Sequence, residues 1–546
     1  MQLAIARQNQ LFAMYKRCNV LIIEDSAQAR GILRGMLREL SVEQIDMASS
    51  GQEGVEKMRA RPYNIVLCDY NLGKGKDGQQ VLEEARFSKY LKFSTVFIMI
   101  TAESTVEMVM GALEYQPDSY LSKPFTKQEL RTRLDRALHG KLDYQTIDQA
   151  MEREDLRKAI GLCDERIAAE NPPPMRALRV KSECHLRLKE YELARTVYEG
   201  VIAERDIPWA QIGLGKAEFF LDNFAHAEAI FKKLIEQQPS VVESYDWLAK
   251  TQLAQGEPRL AQDTIELATV RSPKAVLRQM ELAKLALSNR SYLVAEKAYR
   301  KAILLANDSV YRSPENFLQY VRALLVKIDG KGGKLSNAAF DEAVLFLQRL
   351  RKEFKGSKLV DFRATMLECL VEHNNRRAAA SATSLARSEG MFEQLSEKSR
   401  QAFADEFVTT LAMTGHADRA RHFIAGYAAE VQDLDLVHHL EKRVESSERR
   451  LFSEAVNEEA MALYQRGQVT EAYVKFSEAA SAPGASMTVL LNALAVCVEL
   501  AERPDLNTAE WRRECEIYIK GLQLLDRHDH RYEQYQTLCA RLEVTA

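Results

Sequence analysis

The stretch Asn19 to Asp25, NVLIIED, decides the fold: four apolar residues, three of them β-branched, run straight into two carboxylates. A run so short and so apolar reads as a strand buried on both faces. The pattern returns at Asn64 to Asp69, NIVLCD, and at Thr95 to Thr101, TVFIMIT. A shorter run, Asp118 to Ser122, precedes Lys123-Pro124-Phe125, and a weaker strand is expected over Val42 to Ala48. Helical patterns lie between them. Ile32, Leu33, Met36, Leu37 and Leu40 share one face, Gly51 to Ala60 is stopped by Arg61-Pro62, and a last helix is expected from about Thr126 to Leu138. Five strands alternating with five helices predict an α/β domain, a five-stranded parallel sheet covered on both faces.

In such a sheet the site lies beyond the carboxyl ends of the strands. The residues at those ends are Glu24, Asp25, Asp69, Thr101 and Lys123. Three carboxylates on one edge repel one another unless a cation holds them, and oxygen ligands with room for water suit Mg²⁺. A metal beside a carboxylate binds a phosphoryl group by bridging its oxygens. Lys123 adds a point charge and Thr101 a hydroxyl donor for the same oxygens. The expected product is an aspartyl phosphate on Asp69, with the carboxylate as nucleophile.

The motifs VLIIEDS, IVLCDYNL with the later Asp77-Gly78, FIMITAE and DSYLSKPF stand in one order over residues of about 18 to 140. In that order they resemble the receiver domain of two-component response regulators, a flavodoxin-like fold. The resemblance implies that Asp69 is the phosphoacceptor, and that Glu24, Asp25, Asp69 and the main-chain carbonyl of Asn71 hold Mg²⁺. It implies that Lys123 contacts the phosphoryl group, that Pro124 is a cis-proline, and that Thr101 and Tyr120 form the switch pair. It further implies a sensor histidine kinase or phosphotransfer protein as donor. Three departures stand out. The loop Tyr70 to Gly78 is one residue longer than is common and lacks the Met-Pro pair. The first acidic position is Glu24 rather than Asp, and Leu113-Glu114-Tyr115-Gln116-Pro117 replaces a usual Gly-Ala pair. None removes a ligand.

After about residue 140 the pattern is helical and repeats. Small residues recur at Ala159, Ala194, Ala227, Ala261 and Ala295, at intervals of 35, 33, 34 and 34. Four positions on come Cys163, Tyr198, Phe231, Ile265 and Tyr299; Leu214-Gly215, Leu248-Ala249 and Leu282-Ala283 mark the preceding helices. Small residues let antiparallel helices approach, and the bulky residue four positions on fills the space between repeats. Pro239 and Pro273 fall where a second helix must stop. This resembles the tetratricopeptide repeat, an all-α helical solenoid, with a later unit at Ala460, Ala472, Phe476, Ala479 and Pro483. Between 307 and 450 the register is poor, with hairpins expected around Ala343/Leu347, Ala379/Thr383 and Ala420/Ile424. The expected organisation is an N-terminal extension at 1–18, a receiver at 19–140, repeats at 141–306, divergent hairpins at 307–450 and a repeat-like region at 451–546.

Repeat stacks expose a binding surface and seldom carry chemistry of their own. Lys216, Lys250 and Lys284 each follow the small residue of a first helix, 34 residues apart. In the tetratricopeptide family that position commonly faces the groove, where a lysine column would attract an acidic peptide or protein surface. Trp209, Phe219, Phe220, Leu253 and Leu287 would add apolar anchors.

Composition excludes several classes. The chain has 546 residues, 46% hydrophobic and 28% charged, with a formal charge of -3, which is no footprint for nucleic acid. No apolar run approaches the length of a membrane span. The first residues, broken by Arg7, Gln8, Asn9 and Gln10, lack the apolar core of a signal peptide. The 8 Cys have no CxxC spacing, which fits a reducing cytoplasm, and the resemblance to two-component regulators implies a bacterial protein. Asp329-Gly330-Lys331-Gly332-Gly333-Lys334 is a loop without the P-loop pattern. No histidine set has metal-ligand spacing. The expected function is a phosphorelay response regulator, not an enzyme beyond Mg²⁺-dependent self-phosphorylation from small phosphodonors and autodephosphorylation. Phosphorylation would change the surface from Glu103 to His139, and through it the repeats or a receiver-mediated homodimer. The alternative is a constitutive scaffold whose receiver is a docking module or phosphate sink.

Overall fold

The computed structural model describes residues 13–102, 117–326, 336–431, 433–503, 508–523, 525, 529 and 531–542. The N-terminal apolar runs form one parallel sheet. Its strands are β1 (Asn19–Ile23), β2 (Gln44–Ala48), β3 (Ile65–Asp69), β4 (Val96–Thr101) and β5 (Ser119–Ser122), in the order β2-β1-β3-β4-β5. The chain leaves β1 to one side and returns for β3 on the other, so the two carboxyl ends diverge beside each other and leave a crevice there. The described flanking helices are α1 (Ala27–Glu39), α2 (Gly51–Ala60), α3 (Gly78–Phe87) and α4 (Lys127–Leu142). The fifth expected helix falls at 103–116, outside the described residues.

Strand alternation divides the core between the two faces. Val20, Ile22, Ile65, Leu67, Ile98 and Ile100 pack with α1 and α4 through Leu33, Leu37, Leu130 and Leu134. Leu21, Ile23, Val66, Cys68, Phe97 and Met99 pack with α2 and α3 through Val55, Val81 and Leu82. Helix α4 runs on to Leu142, past the expected end at Leu138, because Gly140 is carried inside it. One glycine costs a helix only about 1 kcal/mol. Of the N-terminal extension, residues 1–12 lie outside the described residues; Tyr15 is buried and its hydroxyl donates to Asp135 Oδ1 at 2.6 Å.

From Gln145 the described residues fold as helices joined by short turns. The hairpin pairs include Pro208–Phe220 with Phe224–Gln237, and Glu243–Ala254 with Pro258–Arg271. Ala159, Ala194, Ala227, Ala261 and Ala295 are all fully buried, as the repeat pattern requires. The chain divides into two compact units, Met1–Leu285 with Lys301–Arg312, and Ala286–Arg300 with Ser313–Ala546.

In the second unit the hairpins continue, with two differences from expectation. In helix Ala378–Glu393 the buried face is Ser381, Ser384, Leu385, Ser388 and Phe392, while Ala379 and Thr383 are exposed. A serine takes the small-residue place there: Ser381 Oγ donates to the carbonyl of Cys369 at 3.1 Å. A single helix, Leu434–Gln465, runs through position 450, so the expected division after 450 falls inside one element. No Gly or Pro interrupts that stretch. The loop at 329–334 lies outside the described residues.

Candidate functional site

Register brings the acidic residues together. Ile23 pairs with Cys68, which sets Glu24 beside Asp69 across the β1–β3 crevice. Asp69 pairs with Ile100, which sets Thr101 one step beyond it on β4. Thr101 in turn pairs with Ser122, just before Lys123. The carboxylate oxygens of Glu24, Asp25 and Asp69 lie within 4.8 Å of one another. Glu24 and Asp69 are buried and Asp25 is exposed.

Lys123 closes the cluster. Its Nζ donates to Glu24 Oε2 at 2.8 Å and to Asp69 Oδ2 at 2.9 Å. Burial works against the ammonium, but its bonds to Glu24 and Asp69 hold its pKa above the ordinary lysine value. Burial raises the Glu24 carboxyl above its ordinary value; the hydrogen bond from Lys123 opposes this, and the Asp69 charge adds to it. A second cation at this edge would therefore be well accommodated: three oxygen donors converge, one of them open to water, and their charge exceeds what one lysine neutralises. That donor set fits Mg²⁺. The peptide bond Lys123-Pro124 is cis, as the resemblance implies.

Main-chain geometry holds the loop after Asp69 close. Gly78 packs so tightly that a Cβ there would meet the Asp69 carbonyl oxygen at 2.3 Å. Asp77 caps α3 through a reciprocal pair with Gln80. Asn71 is exposed, and its Oδ1 accepts from Gly73 N–H at 3.3 Å. Thr101 is buried, and its main-chain carbonyl accepts from Lys123 N–H at 2.6 Å. Tyr120 on β5 is half-buried and packs with the core face that contains Tyr70 and Met99; burial pushes its phenol up. The segment 103–116 of the expected switch surface lies outside the described residues.

Replacing Lys123 with alanine leaves two buried carboxylates facing each other. In Mg²⁺-free buffer this variant is expected to lose about 2 kcal/mol of stability. Added Mg²⁺ should restore more stability to it than to the parent, because the metal becomes the sole neutralising charge. Urea melts with chelator and with Mg²⁺ check both statements; equal Mg²⁺ increments would contradict the second.

The residues expected to line a repeat groove sit on first helices of the repeats. Trp209, Lys216 and Phe220 lie on Pro208–Phe220, Lys250 on Glu243–Ala254 and Lys284 on Val276–Ser288. Lys250, Lys284 and Phe220 are exposed. Lys216 is ion-paired with Glu243 at 2.5 Å, so its charge is partly spent within the repeats. The centre of the surface is Trp247, which sequence reading passed over: the Lys250 ammonium sits 4.3 Å from its ring centroid and that of Lys216 5.2 Å. Phe220 meets Trp247 edge-on and stacks on Tyr191 at 4.9 Å. Trp247 stands two positions before Ala249 of the small-residue register and Lys250 one position after it, and an aromatic inside ESYDWLAK was the available signal.

The N-terminal domain and the repeats share a cavity that reaches Trp209 and Lys216. The cavity, of about 690 Å³, is lined by Pro117 and Tyr120 on one side and by Trp209, Ile212 and Lys216 on the other. Among the described residues no helix is long and apolar enough to cross a membrane.

Comparison with known proteins agrees with both halves of this description. Residues 20–135 match the family model for the response regulator receiver domain, and residues 144–206 match a tetratricopeptide repeat model. The chain is 30% identical over 127 residues to a probable chemotaxis protein CheY of Rhizobium etli, covering 23% of this chain and 96% of that one. It is 30% identical over 121 residues to chemotaxis protein CheY-3 of Vibrio cholerae, covering 22% and 92% respectively. Among solved structures, Vibrio cholerae CheY4 covers 22% of this chain and 98% of its own at 24% identity, with a TM-score of 0.21. Through its N-terminal sheet domain this chain belongs to the response regulator receiver family, and it joins that domain to tetratricopeptide repeats.

Proposed function

We propose that the protein is a response regulator in which phosphorylation of Asp69 controls what the repeats bind. The observation that carries the reading is the convergence of Glu24, Asp25, Asp69 and Lys123 at the β1–β3 crevice. A receiver at 19–140 acts as the switch, and the helices from 141 onward act as the output. A sensor histidine kinase or phosphotransfer protein supplies the phosphoryl group. An Asp69 carboxylate oxygen forms the new P–O bond as the donor's P–N bond breaks, and the donor imidazole keeps the electron pair and takes up a proton. Glu24, Asp25, Asp69 and the main-chain carbonyl of Asn71 hold Mg²⁺, which when bound neutralises phosphoryl oxygens. Lys123 orients the phosphoryl group through its ammonium, and Thr101 donates its hydroxyl to it while Tyr120 follows. No separate enzymatic activity is assigned.

The test is partner capture from lysate of the source organism, with Mg²⁺ and beryllofluoride, comparing parent and Asp69→Ala. A partner recovered differently by the two supports phosphorylation-gated binding. Equal recovery of the same partners returns the alternative, a constitutive scaffold. The groove around Trp247 is read as a site for an acidic protein segment. Reversing two exposed charges, Lys250→Glu with Lys284→Glu, is expected to lower capture about tenfold and flatten its salt dependence. Unchanged capture would make the lysines an ordinary solvated face.

A further inference from the structure

The face of the N-terminal domain that follows the phosphoacceptor is packed on the repeats. Tyr70 adjoins Asp69 in the chain. Its ring lies 5.6 Å from the Lys274 ammonium, whose Nζ is 3.4 Å from the Tyr70 hydroxyl. Lys76, in the same loop, donates to the carbonyl of Asp308 and pairs with Glu84 at 2.9 Å. On α3, Glu83 accepts from the Ser309 hydroxyl at 2.9 Å with both residues buried, and Phe87 meets Tyr311 edge-on at 5.6 Å. Apart from the Lys76–Glu84 pair, these contacts join residues more than 200 positions apart within one compact unit.

Buried polar contacts of this kind are specific. An unpaired Glu83 or Ser309 would lose its partner without gaining water, so the face has one preferred seating. The loop from Tyr70 to Gly78 also has little slack. It starts on the residue after Asp69 and ends where Gly78 touches the Asp69 carbonyl. A change of charge or position at Asp69 is therefore delivered to a loop that already holds the repeats.

We infer that the repeats at Lys274 and at 305–311 read the state of Asp69 directly, through the 70–78 loop and α3, and that phosphorylation tightens this seating. The inference rests on Asp69 being the phosphoacceptor and adds the route by which the repeats sense it. The direction follows from Lys274: it is the cation on the residue next to Asp69, and added negative charge there attracts it. Coupling of this kind is reciprocal, so weakening the seating weakens the binding of a phosphoryl mimic.

The experiment uses the full chain and beryllofluoride with Mg²⁺ as the probe. Hydrogen exchange is expected to slow by about fivefold or more over 301–312 when the probe is bound, together with the residues around Asp69. Lys274→Ala, an exposed position, is expected to weaken beryllofluoride binding by about fivefold while the fold persists. Ser309→Ala should act in the same direction. Slower exchange confined to residues near Asp69, with unchanged exchange over 301–312, would overturn the inference and leave Asp69 as phosphoacceptor. Unchanged affinity in Lys274→Ala would overturn the part given to that lysine. No change anywhere, Asp69 included, would overturn the phosphoacceptor reading and this inference with it.

Discussion

Asp69→Asn is expected to reduce phosphoryl incorporation from a small phosphodonor to background while leaving the protein folded. The amide keeps the shape of the side chain but removes both its charge and its nucleophilic oxygen pair. Lys123 keeps its 2.8 Å bond to Glu24, so the second carboxylate is not stranded. One of three clustered negative charges is removed, which relieves like-charge repulsion. Stability without metal should therefore be unchanged or higher by about 1 kcal/mol. Mg²⁺ affinity should fall, because one of the converging donors is lost. Intact mass after incubation with acetyl phosphate and Mg²⁺ measures incorporation, and a urea melt measures stability. An Asn variant that still gains a phosphoryl group would move the acceptor elsewhere; Asp25, exposed at the same edge, would be examined next. Loss of incorporation together with loss of fold would mean that Asp69 matters to stability first.

The sheet and the carboxylate edge were legible because their signals are local. Each of β1 and β3 is a short apolar run ended by an acid, and the parallel register then brings those acids together without further information. The repeats were legible for a similar reason: Ala194, Ala227 and Ala261 recur at intervals of 33 and 34, and each is fully buried. The seating of α3 was not legible. Glu83 in GQQVLEEARF reads as one more solvated acid, and Ser309 as a turn residue. Only the fold brings them to 2.9 Å and buries both. The same holds for Lys216, whose place in the lysine column was readable while its pairing with Glu243 in the next repeat was not. Ser381 failed differently: a search for small apolar residues passes over a serine that satisfies its hydroxyl on a buried carbonyl.

Phe231→Ala is expected to cost about 3–5 kcal/mol, the largest stability effect of any substitution considered for the repeats. The ring is fully buried and packs with Ala227 and Leu248, so its removal leaves a cavity that rigid helices fill poorly. Gly215 shows how closely the ring is held: a Cβ there would lie 2.4 Å from Phe231 Cζ. Alanine within a helix gains about 1 kcal/mol over glycine, whereas overpacking a close contact costs about 1–3 kcal/mol. Gly215→Ala should therefore be net destabilising by about 1 kcal/mol in the parent. Gly200, also inside a helix, has no neighbouring atom within 4 Å of the same added carbon. Gly200→Ala should accordingly stabilise by about 0.5–1 kcal/mol. With Phe231 already replaced by Ala, the clash at Gly215 has no partner, and Gly215→Ala should turn from costly to favourable. That reversal is the signature of direct contact, because mutations without shared partners add. Urea melts of the parent and the three variants of the cycle, with hydrogen exchange over 208–237 to localise the loss, measure it. Additive effects would mean that the spacing of helices Pro208–Phe220 and Phe224–Gln237 is set by other contacts. Reversal would assign it to this one pair, and with it the position of Trp209, Lys216 and Phe220 on the face proposed to take a partner.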